Sequence, residues 1–224
     1  MTPVGRSREA NVGSMALEDS ARVDFARLRR ERRRRLFDAL AAEGMDALVL
    51  GRPANVRYAS GARQLWRAGS APFGPASVVV RETERVHLMS VWDEGVPPEI
   101  DHEDLYPLTW NPANLVAALQ AIPGLAEARR VGTDGLTPMF AQHLHGVAPS
   151  AELVDAAPVL WRARRTKTSD ELGCLRTAAA LAEAALQGMR ECVEPGVSER
   201  GLLAAYYECI GNLGVPAPPS ESVR

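Results

Sequence analysis

Residues 158–172, PVLWRARRTKTSDEL, mark the boundary between two kinds of sequence. A short apolar turn opens behind Pro158, a residue tolerated in the first turn of a helix because its missing N–H would have no partner there. Thr168 stands three residues before Glu171, which is the spacing of a capping box: the hydroxyl accepts the N–H of Glu171 while that carboxylate reaches back to the N–H of Thr168. We therefore predict that a new helix starts at Ser169.

Before this boundary, helical and strand-like segments alternate. Apolar residues recur at helical intervals from Asp24 until Gly44, a C-cap type of residue, and short apolar runs typical of buried strands follow. The predicted strands are 47–50, 76–80, 85–89, 105–108, 130–133 and 152–155, and the later predicted helices are 111–122 and 137–143. The short spacing around Thr83 predicts a hairpin between the second and third strands. A helix followed by a strand at the start favours an α/β fold.

After the boundary the pattern is helical only. A long helix ends at Pro195 and Gly196, and Ser198 caps a second one. Two amphipathic helices without a sheet beneath them leave an apolar face in water. Each large apolar side chain left exposed there costs about 1.5 to 3 kcal/mol of free energy compared with burial. The predicted organisation is a mobile tail (1–22), an α/β domain (23–157), a linker (158–168) and an incomplete helical domain (169–224).

Composition excludes several classes of protein. The 224 residues are 46% hydrophobic and 24% charged, with a net charge of -2, which is typical of a soluble globular chain without a general attraction to nucleic acid or membrane. We expect a cytoplasmic protein because no apolar stretch is long enough for a membrane span or a signal peptide. The three cysteines are far apart, as reduced thiols are, and lack the spacing of a zinc site.

The first helix carries a run of arginines, and we predict that they form a solvated outer face. The run comprises Arg27, Arg29, Arg30, Arg32, Arg33, Arg34 and Arg35. It lacks the interleaved aromatic residues that would favour nucleic-acid binding, so we rank that function last.

No other cluster predicts a catalytic or metal site. His143 and His145 would share a face only on a strand, and they fall near a predicted helix end. The trio beginning at His102 is expected to be a polar loop. Ser60 lacks the setting of a strained nucleophile elbow, and the sequence around Asp134 lacks the glycine spacing of a phosphate loop. We assign no catalytic residue and no metal ligand.

Four stretches together resemble the creatinase and Xaa-Pro peptidase family of pita-bread metallohydrolases. They are residues 36–50, the turn Asn55-x-x-Tyr58-x-x-Gly61, residues 165–178 and the motif Pro195-Gly196-x-Ser198-Glu199. One such motif alone is weak, but four in order extend over most of the chain. The resemblance implies an RNase-H-like creatinase N-terminal domain, with a mixed sheet flanked by helices, followed by an incomplete pita-bread domain represented by a helical pair.

The resemblance also implies which chemistry to expect. In the family, two aspartates, a histidine and two glutamates hold two divalent ions, such as manganese, cobalt or zinc, and all five lie after the Pro-Gly-x-Ser-Glu helix. The sequence reaches Arg224 without this series, so we expect a truncated member that hydrolyses no peptide or small amide alone and has no cofactor in this chain. Whether Arg224 is a natural end, and whether Met15 is the true start, the sequence leaves open.

A last implication concerns residues 63–67. In the family, the loop after the Asn-x-x-Tyr-x-x-Gly turn of one subunit can reach the active site of its dimer mate. Here this loop contains Arg63, Trp66 and Arg67, which suit a substrate carboxylate and an apolar side chain. The alternative is that Trp66 packs under its own domain. The expected partners are a second copy or a separately encoded catalytic half. A non-catalytic binding or dimerisation module that uses the free helical face is the alternative function.

Overall fold

The structure is a computed structural model that describes residues 23–62, 75–90, 95–107, 109, 111–135 and 137–214. They belong to two compact units that divide between Thr168 and Ser169. The first unit contains a sheet with helices, and the described part of the second is helical.

The elements of the first unit follow one another in the order that the sequence pattern indicated, with two additional helices. The strands are β1 (Ala47–Leu50), β2 (Ser77–Val80), β3 (Arg85–Met89), β4 (Leu105–Tyr106), β5 (Arg130–Thr133) and β6 (Glu152–Asp155). The helices are α1 (Phe25–Ala42), α2 (Pro53–Ser60), α3 (Pro112–Gln120), α4 (Pro138–Val147) and α5 (Ala157–Arg165). A short 3-10 helix, His102–Asp104, precedes β4.

The strands form one mixed sheet, in the order β4-β3-β2-β1-β5-β6. The strands β1, β2 and β3 are antiparallel neighbours, whereas β1, β5 and β6 run parallel, as do β3 and β4. The mixed α/β fold and the hairpin between β2 and β3 are therefore confirmed. Because β1 and β5 are parallel neighbours, their carboxyl ends lie at the same edge of the sheet.

Apolar side chains alternate between the two faces of the sheet and form two cores. On one face, Leu48 and Val79 pack with residues of α1, α2 and α5. On the other face, Val49 and Val78 pack with residues of α3 and α4. Since strand residues point alternately to opposite faces, this pattern fixes the register of the sheet between two helical layers.

The arginine run on α1 was predicted to be a solvated face, and this prediction is wrong for part of it. Arg29 is buried at 8% exposure, and Arg33 is half-buried. Both contact Glu99, which lies about 70 residues away in the chain, so the sequence pattern of the helix could not reveal the partner. Arg27, Arg30 and Arg34 are exposed, as predicted.

The stretch 158–168, expected to be a linker, consists mostly of α5. This helix belongs to the first unit, where Val159 and Leu160 join the core shared with α1. Arg162 adds an ion pair to Glu43, with Nε 2.6 Å from Oε1. The apolar residues and Arg162 of this stretch therefore help to stabilise the first unit.

The second unit contains α6 (Ser169–Glu191) and α7 (Glu199–Asn212), which pack against each other. Helix α6 starts at Ser169 as predicted, and Ser198 accepts a hydrogen bond from the N–H of Gly201 at the start of α7. No residue of α7 is buried in the part of the chain that is described.

Among the described helices, none is both long and apolar enough to cross a membrane.

Candidate functional site

The predicted substrate-contacting residues Arg63, Trp66 and Arg67 lie outside the described residues. Their attachment point does not: α2 and the two residues after it, Gly61 and Ala62, are described. The contacts of this short helix show how the chain is held as far as Ala62.

The N-terminus of α2 is held by a carboxylate from the residue that follows β5. Asp134 follows β5, and its Oδ1 accepts a 2.7 Å hydrogen bond from the N–H of Gly51. Its Oδ2 accepts from the N–H of Arg52 at 3.1 Å and from the side-chain amide of Asn55 at 2.8 Å. Arg52 at the N-cap makes no capping hydrogen bond with its own side chain, so the carboxylate replaces it and complements the positive end of the helix.

The middle of α2 is held by Tyr58. Its hydroxyl donates a 2.9 Å hydrogen bond to the carbonyl of Ala163 in α5. The guanidinium carbon of Arg164 lies 4.7 Å from the centre of the ring, and that of Arg32 lies 5.2 Å from it. These cation–π contacts join α1, α2 and α5 around one aromatic side chain.

The C-terminus of α2 ends at Gly61, whose φ of 77° is left-handed. A Cβ at this position would lie 2.3 Å from Cδ of Arg29, so only glycine fits both the conformation and the space. Ser60 donates to the carbonyl of Val56 at 2.7 Å and accepts from the N–H of Ala62 at 3.0 Å. The chain is therefore fixed up to Ala62.

Beneath Gly61 lies a paired arginine. Nε and Nη2 of Arg29 donate to the two carboxylate oxygens of Glu99 at 2.9 and 3.1 Å, which is the two-pronged geometry that suits a guanidinium. Arg33 donates to the backbone carbonyl of Glu99 at 3.2 Å. Burial lowers the pKa of Arg33, and the charge of Glu99 opposes that effect.

The Asn-x-x-Tyr-x-x-Gly stretch is thus a helix with three anchors rather than a simple turn. Asn55 binds Asp134, Tyr58 binds α5, and Gly61 lies on Arg29. The side chains of Asn55 and Tyr58 therefore hold the helix in place.

A second polar cluster, which the sequence interpretation missed, surrounds His87 of β3. The imidazole is 1% exposed, and Nδ1 lies 2.9 Å from Oδ1 of Asp104. The two groups are not aligned as in a hydrogen bond, and Nε2 has no partner among the described residues. The ring of Tyr106 meets the imidazole edge to face at 5.7 Å.

Arg85 completes this cluster. Its Nη2 lies 2.5 Å from Glu103 and 2.9 Å from Asp104, and the hydrogen bonds to these two carboxylates raise its pKa. The trio that begins at His102, expected to be a polar loop, is a 3-10 helix with a buried carboxylate. The sequence did contain a signal for this cluster. His87 lies two residues after Arg85 on one face of a strand, and the acidic residues Glu103 and Asp104 follow.

Nothing in the described ranges offers a metal site: no three His, Cys, Asp or Glu side chains are grouped so that they could hold an ion. The carboxylates around Arg85 face its guanidinium. His143 and His145 lie on α4, half-buried and exposed respectively. The described residues therefore contain no ligand set that fits a dinuclear metal centre.

Comparisons with known proteins identify a family and several solved structures that are similar to this chain. A family model described as "Creatinase/Prolidase N-terminal domain" matches residues 32–166. The fold is similar to that of the prolidase from Pyrococcus horikoshii OT3, with 18% identity, a TM-score of 0.60, and coverage of 82% of this chain and 49% of that one. The Xaa-Pro dipeptidase from Bacillus anthracis is also similar, with 18% identity, a TM-score of 0.56, and coverage of 82% of this chain and 49% of that one. The prolidase from Pyrococcus furiosus has 17% identity, a TM-score of 0.57, and coverage of 80% of this chain and 52% of that one. The chain spans about half the length of these structures.

Proposed function

Because the chain belongs to the creatinase/prolidase N-terminal domain family, we propose that it supplies the N-terminal domain of a metal-dependent hydrolase of the Xaa-Pro peptidase type. The observation that carries the proposal is the family match over residues 32–166, which contain the sheet and the three-anchor helix α2. The substrate class would be peptides with proline after the first residue, or small amides. The chemistry would need divalent ions held by a catalytic domain.

In this proposal the present chain shapes the site and does not catalyse the reaction. Hydrolysis by two metal ions needs carboxylates that bridge the ions and lower the pKa of the attacking water. The described residues contain no such group of ligands. We therefore assign to this chain the roles of dimerisation and substrate contact, and to a catalytic half the roles of metal binding and proton transfer.

The substrate contact is proposed for Arg63, Trp66 and Arg67. A guanidinium binds a carboxylate at two points, and an indole offers a flat apolar surface beside it. The described base supports this role: hydrogen bonds hold the chain up to Ala62, and a preorganised support lowers the entropy cost of binding.

The test uses a complete enzyme in which this domain is joined to a homologous catalytic domain. We expect Trp66→Ala and Arg67→Ala each to raise KM about tenfold or more, since removing an anchoring Trp or Arg contact costs about 2 kcal/mol. Arg57→Ala, at an exposed position on α2, is the matched control and should leave KM unchanged. Unaltered KM in both loop variants would contradict the proposed contact.

A second candidate function is that of a binding or dimerisation module, and the exposed face of the second unit favours it. Large apolar side chains there are about half exposed: Leu172, Leu175, Leu186, Val193, Leu203 and Leu213. Exposed apolar surface of this kind is typical of an interaction site.

Light scattering after size-exclusion chromatography tests this second function. We expect the protein to form a dimer, or to co-purify with a metal-bearing hydrolase fragment, and Leu175→Glu with Leu186→Glu to abolish that association. Gln187→Glu, an exposed polar change on the same helix, is the control. A monomer that binds no such fragment would contradict the module.

A further inference from the structure

The outer face of α5 carries the most exposed large apolar side chain in the described part of the chain. Trp161 is 66% exposed, whereas Val159, Leu160 and Ala163 of the same helix are buried in the core. Among the described residues of the first unit, only Met139 is a comparably exposed large apolar residue. The core of this unit does not use the indole, and burial in an interface would remove the ring from water at a gain in free energy.

Arg165 lies beside this indole. Its guanidinium carbon is 5.4 Å from the centre of the Trp161 ring, one helical turn away, which is a cation–π contact. Both side chains are exposed. Tryptophan and arginine are among the residue types most enriched where a few side chains supply most of the binding energy of a protein interface.

Two further cations lie at the end of α5. Arg35 of α1 donates a hydrogen bond to the carbonyl of Thr166, and Lys167 donates one to the carbonyl of Arg164. In the described part of the chain, no carboxylate pairs with Arg35, Arg165 or Lys167. Helix α5 itself contains no acidic residue, so the positive charge at this end of the helix attracts anions.

Part of this charge has a structural role that needs no partner. Positive charge near the end of a helix complements the helix dipole, which accounts for Arg35 and Lys167. It does not account for Arg165, whose guanidinium lies over an exposed ring. Asp38 of α1, exposed one turn after Arg35, offsets some of the charge but pairs with no described cation.

We propose that Trp161, Arg165, Arg35 and Lys167 form a docking surface for an acidic segment of a partner protein. The indole contacts an apolar side chain of that segment, and the cations around it bind the carboxylates on either side. Complementary charge increases the rate of association and selects acidic partners, while the ring supplies most of the affinity.

The charge and the single ring favour an acidic polypeptide over nucleic acid. Guanidinium groups bind carboxylates in a planar geometry at two points. Single-stranded nucleic acid is bound through successive bases that stack on several aromatic rings. Trp161 is the only exposed aromatic side chain among the described residues, and one ring suits one apolar side chain of a peptide.

Helix α5 is held firmly on its inner side before a partner binds. The hydroxyl of Tyr58 donates to the carbonyl of Ala163 at 2.9 Å, and Nε of Arg162 lies 2.6 Å from Oε1 of Glu43. Docking would therefore order side chains and leave the backbone that carries them unchanged, which lowers the entropy cost of binding.

Selection of random peptides displayed on phage, with the whole chain immobilised, tests the proposal. We expect the enriched peptides to carry acidic residues around an apolar one. As synthetic peptides they should bind the native chain about tenfold or more tightly than they bind Trp161→Ala or Arg165→Glu. Arg176→Glu makes the same charge change at an exposed position of α6, and this control should bind the peptides like the native chain.

Several results would overturn the proposal. They are the enrichment of no peptide, the enrichment of peptides without acidic residues, and equal affinity for the native chain and both α5 variants. Tighter binding of a thymidine oligonucleotide through Trp161 would assign the surface to nucleic acid instead. A dimer that Trp161→Ala converts to a monomer would assign it to a second copy of the chain.

Discussion

Replacement of Asp134 by alanine tests the anchoring of α2, from which the candidate site is built. The carboxylate is buried at 6% exposure and accepts three hydrogen bonds, from Gly51, Arg52 and Asn55. Alanine leaves these donors without their acceptor. The N–H of Gly51 and the amide of Asn55 are buried, so water cannot easily replace the carboxylate.

The size of the effect follows from these three bonds. A hydrogen bond to a charged group contributes about 1.5 to 3 kcal/mol, and the contributions of neighbouring bonds do not simply add. We therefore expect Asp134→Ala to lower the free energy of unfolding by about 3 to 5 kcal/mol, a large part of the roughly 5 to 15 kcal/mol of a typical domain.

Urea unfolding followed by tryptophan fluorescence measures this change in the first unit alone. All four tryptophans precede Thr168 and therefore belong to that unit. A double-mutant cycle with Asn55→Ala isolates the bond between the two side chains, and we expect a coupling of about 1 to 3 kcal/mol.

The matched control is Asp155→Ala. Asp155 also ends a parallel strand and accepts a 2.8 Å hydrogen bond from the N–H of Ala157, but in an exposed setting. Its loss should cost about 1 kcal/mol. If Asp134→Ala costs no more than this control, or shows no coupling to Asn55, the anchoring of α2 by Asp134 is refuted.

Two further changes test the packing of the sheet. In Gly132→Ala the new Cβ would lie 2.7 Å from Cδ2 of Leu48, so we expect the free energy of unfolding to fall by about 1 to 3 kcal/mol in the same urea assay. The control Gly146→Ala, with open space around it, should not lower that free energy. Equal effects of the two changes would contradict the packing. Glu84 has a φ of 52° in the turn between β2 and β3, so Glu84→Ile should lower stability by about 1 to 2 kcal/mol, whereas Glu84→Asn should not; an equal loss in both would exclude the left-handed conformation.

The strands were predictable where their apolar runs are continuous and bounded by turn residues. Residues 47–50, Ala-Leu-Val-Leu, form β1 with the predicted bounds. Local sequence decides such a strand because both faces of the sheet are covered there, so that the run is apolar and buried at every position.

Helix α2 was missed because what stabilises it is remote. Eight residues are too short for a helix to persist by propensity, and its anchor Asp134 lies 79 positions from Asn55. Sequence periodicity cannot reveal such a partner. The motif that carried the family resemblance was therefore identified correctly. That it forms an anchored helix could not be predicted, because the anchor depends on the parallel pairing of β1 and β5.

The buried charges were missed for the same reason. Arg29 has the same local sequence surroundings as its exposed neighbours, and only the loop that brings Glu99 against it makes it different. His87 lies among apolar strand residues, and only the neighbouring 3-10 helix gives it a carboxylate. A sequence pattern contains little information about which distant residue contacts a single polar side chain.

We propose that this chain shapes a hydrolase site and that a separate metal-binding half catalyses the reaction. The most direct measurement is an assay of the purified 224-residue protein with an Xaa-Pro dipeptide in the presence of manganese, cobalt or zinc, beside a complete prolidase as positive control. We expect no proline release above that of buffer with metal. Metal-dependent turnover that follows the protein through successive purification steps would contradict it.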